Sequence, residues 1–295
     1  MKKVIRTTLL MILGIFISLS TTVSAASENP VNESTKELMR IFPQFKESLE
    51  KNTTGNLVGN QEVYIKYTPK KNVSDTKKVY ENQEEVKKDF DVTVHTKEEY
   101  LRERAKESLP RLRSRRSISI GSVEQNYCSW LKMQLQVYTA SQELRNDCDV
   151  VAYNFCSWKT VPGFRLKDAI GISVSNGLAI GGSSSTRKAS YNYNKLYAGD
   201  TIVNLPVKKS VHANGVLAEF NLSNEDSRFT DVYNNAMIST GIKFIRNDVT
   251  YGVISGNYLH SEVSVGSITF NAAGVPSISL SLSHDTHSAS VPISR

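Results

Sequence analysis

Leu131-Lys132-Met133-Gln134-Leu135-Gln136-Val137 decides how this chain is read. Apolar residues take every second position and polar ones the positions between. Successive side chains of a strand point to opposite faces, so this pattern makes an extended segment with one apolar and one polar face. It recurs downstream. Ile170, Ile172 and Val174 alternate with Gly171, Ser173 and Ser175, Val216, Ala218 and Phe220 continue it, and Ile278, Leu280 and Leu282 alternate with serines.

Turn residues separate these runs: Asn176-Gly177, Gly181-Gly182, Asn214-Gly215 and Ala273-Gly274. Asn-Gly tolerates the positive φ that tight hairpins require. Residues 117–295 are therefore expected to form an all-β domain, an antiparallel sandwich or barrel of about 9–11 short strands. One short helix is allowed within Asn224–Ala236.

Upstream the composition changes. Residues 26–116 hold 19 Lys/Arg against 16 Asp/Glu, while residues 117–295 hold 14 against 13. The boundary is Arg113-Ser114-Arg115-Arg116, followed by Ser117, a multibasic pattern of the kind cut by furin-like and trypsin-like proteases. Protease sites need extended chain, which a boundary between folding units offers. The segment before it carries signs of order. Ser34-Thr35-Lys36-Glu37 and Thr96-Lys97-Glu98-Glu99 have capping-box spacing. Glu62–Tyr67 and Asp91–His95 read as strands, and a helix is expected from Thr96 towards Lys106. A small α+β pro-segment over 26–116 is the expectation, with a solubilising spacer as the plainer alternative.

The first residues read as a secretory signal. Lys2, Lys3 and Arg6 precede the apolar run Leu9–Leu19, and Val23-Ser24-Ala25 places cleavage after Ala25. A spanning helix needs about 20 apolar residues, more than this run supplies. Three segments follow: signal peptide 1–25, pro-segment 26–116 and mature domain 117–295. The expected location is secreted and extracellular. The net charge of +7 lies mostly before residue 117. A nearly neutral mature domain argues against nucleic acid, whose binding needs a basic face.

Export permits disulfides. Tyr127-Cys128-Ser129-Trp130 and Phe155-Cys156-Ser157-Trp158 repeat one pattern, which suggests a Cys128–Cys156 bridge, with Cys148–Cys156 as competitor. The chemistry-bearing motifs are thin. His284-Asp285-Thr286-His287 is the one dense run of metal-ligand types, and alternation along a strand would send its two histidines to opposite faces. No G-x-S-x-G, H-E-x-x-H or phosphate loop is present, so no catalytic residue, metal or cofactor is assigned. Tyr191 and Tyr193, interleaved with Arg187, Lys188 and Lys195, are candidate binding residues, since tyrosine offers a rigid ring with a polar tip. Ala169–Ser185 and Val263–Ser283 are charge-free alternating stretches of the composition used by membrane-inserting hairpins.

The expected function is a secreted bacterial proprotein, cut at the multibasic site to release a non-enzymatic β-rich effector. It would act on a cell surface or membrane as a toxin or bacteriocin-like factor, oligomeric if it forms pores. Its partners would be a processing protease and a cell-surface or membrane component. The rivals are a secreted hydrolase made as a zymogen and a structural envelope or matrix protein.

Overall fold

The computed structural model describes residues 33–69, 90–108, 128–160, 167–175, 177–181, 193–195, 202–203, 208–212, 214–221, 223–224, 231–245, 248–261, 268–270, 276–278 and 284–295. The chain divides into two compact units, Met1–Lys36 and Glu37–Arg295. In the first, Lys36 pairs with Glu33 at 2.8 Å on the opening turn of helix α1 (Glu33–Ile41).

The fold is mostly strand in antiparallel sheets, curled as a half-barrel, with few helices. Helix α2 (Pro43–Asn52) and helix α3 (Lys97–Ser108) join α1. Pro43 stops α1, because a proline inside a helix has no N–H to donate, and then opens α2, where that N–H is not needed. The strands are β1 (Thr53–Pro69), β2 (Phe90–His95), β3 (Ser129–Ala140), β4 (Val150–Thr160), β5 (Lys167–Val174), β6 (Leu178–Ile180), β7 (Tyr193–Lys195) and β8 (Ile202–Val203). They continue with β9 (Lys208–His212), β10 (Gly215–Asn221), β11 (Ser223–Asn224), β12 (Asp231–Phe244), β13 (Tyr251–Ser261), β14 (Ile268–Phe270), β15 (Pro276–Ile278) and β16 (His284–Ser294).

The larger sheet runs β2-β1-β3-β4-β12-β7-β8, with β6 and β11 also on β12; the second runs β16-β13-β5-β10-β9. Their facing side chains form one cluster. Leu131, Met133, Leu135 and Val137 meet Ile170, Ile172, Val174, Val216, Ala218, Val291 and Ile293. These are the positions that alternation marked as apolar. Asn154 of β4 crosses the gap and donates to the carbonyls of Gly171 at 2.8 Å and Asn257 at 3.0 Å. A buried amide so bonded ties one sheet to the other.

Several expectations are corrected. Residues 128–295 hold β3 to β16, more pieces than nine to eleven, because six of them are only two or three residues long. No helix lies at the C-terminal end of Asn224–Ala236: β12 begins at Asp231 and pairs along β4, and that ladder overrides local propensity. The Asn176-Gly177 turn does not close a hairpin. Gly177 takes the expected positive φ of 92°, yet β5 joins the smaller sheet and β6 the larger. Ile170, Ile172 and Val174 fill the core between the sheets. β9 pairs with β10, with Gly215 opposite His212 beside the expected Asn214 turn, and β14 pairs with β15; Gly182, Ala273 and Gly274 lie outside the described residues. Ser34 lies inside α1 and so does not start it, whereas Thr96 caps α3. There Glu99 N–H donates to Thr96 Oγ1 at 3.3 Å, and Thr96 N–H donates to the Glu99 carboxylate at 2.8 Å.

Candidate functional site

The polar face of β3 is not wet. Ser129–Val137 is buried without a break, including Lys132 at 5%, Gln134 at 1% and Gln136 at 0% exposure. The cover comes from residues before the multibasic site. Strand β1 pairs with β3 from Tyr67 opposite Ser129 to Gly59 opposite Val137, then on through a register shift to Thr53 opposite Ala140. Ile65 and Tyr67 of β1 belong to the core between the sheets, with Val63 packed against it. The hydrophobic patterns of the two strands match, which sets their register.

Over the outer face lie the C-terminal part of α1 and helix α2. Leu38, Phe42, Phe45 and Leu49 pack on Tyr138, Tyr153, Phe155 and Met237. The Phe45 ring sits 5.0 Å from Tyr153 and 4.9 Å from Phe155, both edge-on, the geometry aromatic quadrupoles favour. Ser48 hydrogen-bonds Tyr153 Oη at 3.0 Å, and burial pushes that phenol up to about 12. Helix α3 covers the far end. Tyr100 stacks on Tyr64 at 4.2 Å and meets Trp130 edge-on at 5.0 Å. Trp130 is fully buried, and its Nε1–H donates to Glu107.

Charges are matched across the same boundary. Lys132 Nζ lies 3.3 Å from Glu37 and 3.2 Å from Glu62. Lys159 reaches Glu37 at 3.2 Å. Burial works to raise the Glu37 carboxyl, but Lys132 and Lys159 outweigh it and hold it below the usual carboxylate range. Lys66 of β1 pairs with Glu103 at 3.4 Å and Glu107 at 3.1 Å, and stands 5.1 Å over the Trp130 ring. Burial opposes ionisation of Glu107 as well, yet Lys66 and Arg104 keep its carboxyl lowered.

A second cluster lies deep between the sheets. Asp168, Tyr258 and His260 are at most 2% exposed. His260 Nδ1 sits 2.9 Å from Asp168 Oδ1, Tyr258 Oη–H donates to Asp168 Oδ2, and Trp158 Nε1–H donates to Tyr258 Oη at 2.9 Å. The β5–β13 ladder creates this set by placing His260 opposite Asp168. Burial, with Asp168 beside it, raises the Tyr258 phenol well above its usual value. Tyr67 of β1 closes over the cluster, its ring 5.4 Å from Trp158 and 5.6 Å from His260.

The expected site residues fare unevenly. Ala25, Arg113, Arg115, Arg116, Ser117 and Tyr191 lie outside the described residues. Tyr193 lies on β7, paired with Ala236 and Val203. The Cys128–Cys156 bridge is not formed, nor is Cys148–Cys156: all three cysteines are free. The ladder places Cys156 opposite Met133, whereas the Cys128 carbonyl accepts from Thr160, so the two cysteines sit several residues apart along the strands. Burial, the largest cause, pushes the Cys148 thiol up to about 11 and the Cys156 thiol well up, which leaves neither a ready thiolate. Tyr258 is part of the core. What sequence reading missed was buried charge. Asp168 shares the period of Ile170, Ile172 and Val174, and Lys132 lies inside the alternating run itself.

The described residues define an antiparallel β protein in which β1 belongs to the larger sheet and helices α2 and α3 pack over that sheet's outer face. No protein-family model matches the chain, and no curated protein matches it. Among solved structures, a collagen-binding domain from a Staphylococcus aureus adhesin is similar at 9% identity and a TM-score of 0.25, over 47% of this chain and 86% of that one. A likeness at that level carries no argument about fold or function.

Proposed function

We propose that the chain is a secreted bacterial proprotein, cut after Arg116 to release a β-rich, non-enzymatic effector that acts on a cell surface or membrane. One observation carries this reading. The multibasic motif lies in sequence between a cover, residues 37–69 and 90–108, and the face it covers, residues 129–155. Losing the cover would uncover Trp130, Tyr138, Tyr153 and Phe155 together with the Lys132 ammonium. Aromatics mixed with cations suit both anionic membrane surfaces and protein partners. The finer architecture proposed for 117–295 is a sandwich, since its two sheets share one interior. The test is N-terminal sequencing of the secreted protein, followed by dye leakage from anionic liposomes before and after the cut. Leakage by cut protein alone supports the reading. A secreted, active species that still carries residues 26–116 on an unbroken chain sinks it.

The zymogen reading draws on Asp168 and His260. A histidine oriented by a carboxylate is the basis of much acid–base catalysis, and Tyr67 from the cover lies over this one. Turnover of ester or peptide substrates by cut protein, abolished in His260→Ala, would favour it.

A further inference from the structure

The structure assigns β3 as a strand-acceptor edge whose partner is the chain's own excised segment. After a cut at Arg116, residues 37–108 stay seated on 128–295 as a separate chain. This deepens the proprotein reading and rests on it only for where the cut falls.

Hydrolysis adds water across the Arg116–Ser117 peptide, leaving a carboxylate on Arg116 and an ammonium on Ser117. What joins them is non-covalent and extensive. Ladder hydrogen bonds run along β1 and β3. Ile65 and Tyr67 enter the core between the sheets, and Phe42, Phe45 and Leu49 enter the outer aromatic cluster. Lys132 is bracketed by Glu37 and Glu62. Strand β1 also reaches the second sheet, where Ser290 N–H donates to Gln61 Oε1. Backbone ladders give such pairing affinity, and alternate side-chain pockets give it specificity. Side chains that enter two buried clusters at once resemble an obligate interface more than a passing encounter.

Cutting and activation are therefore separate steps. The segment departs only when another strand replaces it, and the edge states what that strand must be. It needs apolar residues at alternate positions, as Val63, Ile65 and Tyr67 are, and an acid within reach of Lys132, as Glu62 is.

The full chain, purified uncut, is nicked with a furin-like protease at neutral pH and run on gel filtration at micromolar and tenfold lower concentration. The expected result is co-elution of both fragments at both concentrations, with β3 amides as protected from hydrogen exchange as in the uncut chain. Separation on cutting, or loss of β3 protection, overturns the proposal. In Ile65→Asp the fragments are expected to part on cutting while the uncut chain holds together through its tether. If that variant does not fold, the wild-type elution decides by itself. If the protease does not cut, the processing reading fails, and a site for an unrelated sequence-specific protease placed after Arg116 supplies the nick, so the two failures stay distinct.

Discussion

The two faces of β3 are buried in different ways. Its inner face, Leu131 to Val137 at odd positions, meets strands that lie further along the chain. Its outer face carries Trp130, Lys132, Gln134, Gln136 and Tyr138, and is covered by residues that precede it. The inner face is apolar and would bury itself in any compact state of 128–295. The outer face mixes aromatics with a cation and amides, and each needs a partner. Gln134 bonds Asn60 at 3.0 Å, Tyr138 Oη–H donates to Gln136 at 2.9 Å, and Lys132 has its two glutamates. A core can form from hydrophobicity alone. A covered polar face needs a particular cover, because a buried polar group without its partner is costly.

The sharpest way to break the comparison is to damage both faces equally. Phe45→Ala should cost about 3–5 kcal/mol and Ile170→Ala about 2–5 kcal/mol, as for other buried truncations. If cover and core unfold as one, both lower the single denaturation midpoint. Two transitions in Phe45→Ala alone would show that the cover opens by itself. Lys132→Ala comes next. It takes the ammonium away from Glu37 and Glu62, and removing one partner of a buried pair costs roughly 3 kcal/mol. The Lys132→Met, Glu62→Gln double variant should recover most of that loss in a denaturant titration.

Gly59→Ala probes the contact of β1 with the second sheet. A Cβ there would lie 2.2 Å from Val291 Cγ1, inside the packed core, so a loss of about 1–3 kcal/mol is expected. Val291→Ala in the same chain should relieve the clash, seen as a non-additive double-mutant cycle. Thr96→Ala removes the α3 cap and should cost about 1 kcal/mol. The mildest effect is that of acid. Glu37 and Glu107 have depressed carboxyls in the fold, so their stabilisation is complete above the unfolded glutamate value near pH ~4.3. It is lost as pH falls through the lower folded values. Chemical-denaturation midpoints should therefore drop below about pH 4, and Glu37→Gln should flatten that drop.

Much of the fold was legible because period-2 alternation is a local signal that marks core whichever partner supplies the other side. Glu62–Tyr67, Asp91–His95 and the Thr96 cap were readable for the same reason: each needs only its neighbours in sequence. The candidate site was legible at one end only. Arg113–Arg116 is a contiguous motif. The cover it separates from its face is built from residues as distant as Glu37 and Lys159, and no spacing rule links those.

The sequence by itself determined which stretches after Ser129 alternate as strands, and where a basic motif parts a charged region from a Ser- and Asn-rich one. Only the tertiary structure decided that β1 belongs in the same sheet as β3, that Cys128 and Cys156 stay apart, and that Asp168, Tyr258 and His260 meet. The physical reason is that alternation specifies which face of a strand is apolar, while register and neighbour are chosen by pairing between strands far apart in the chain.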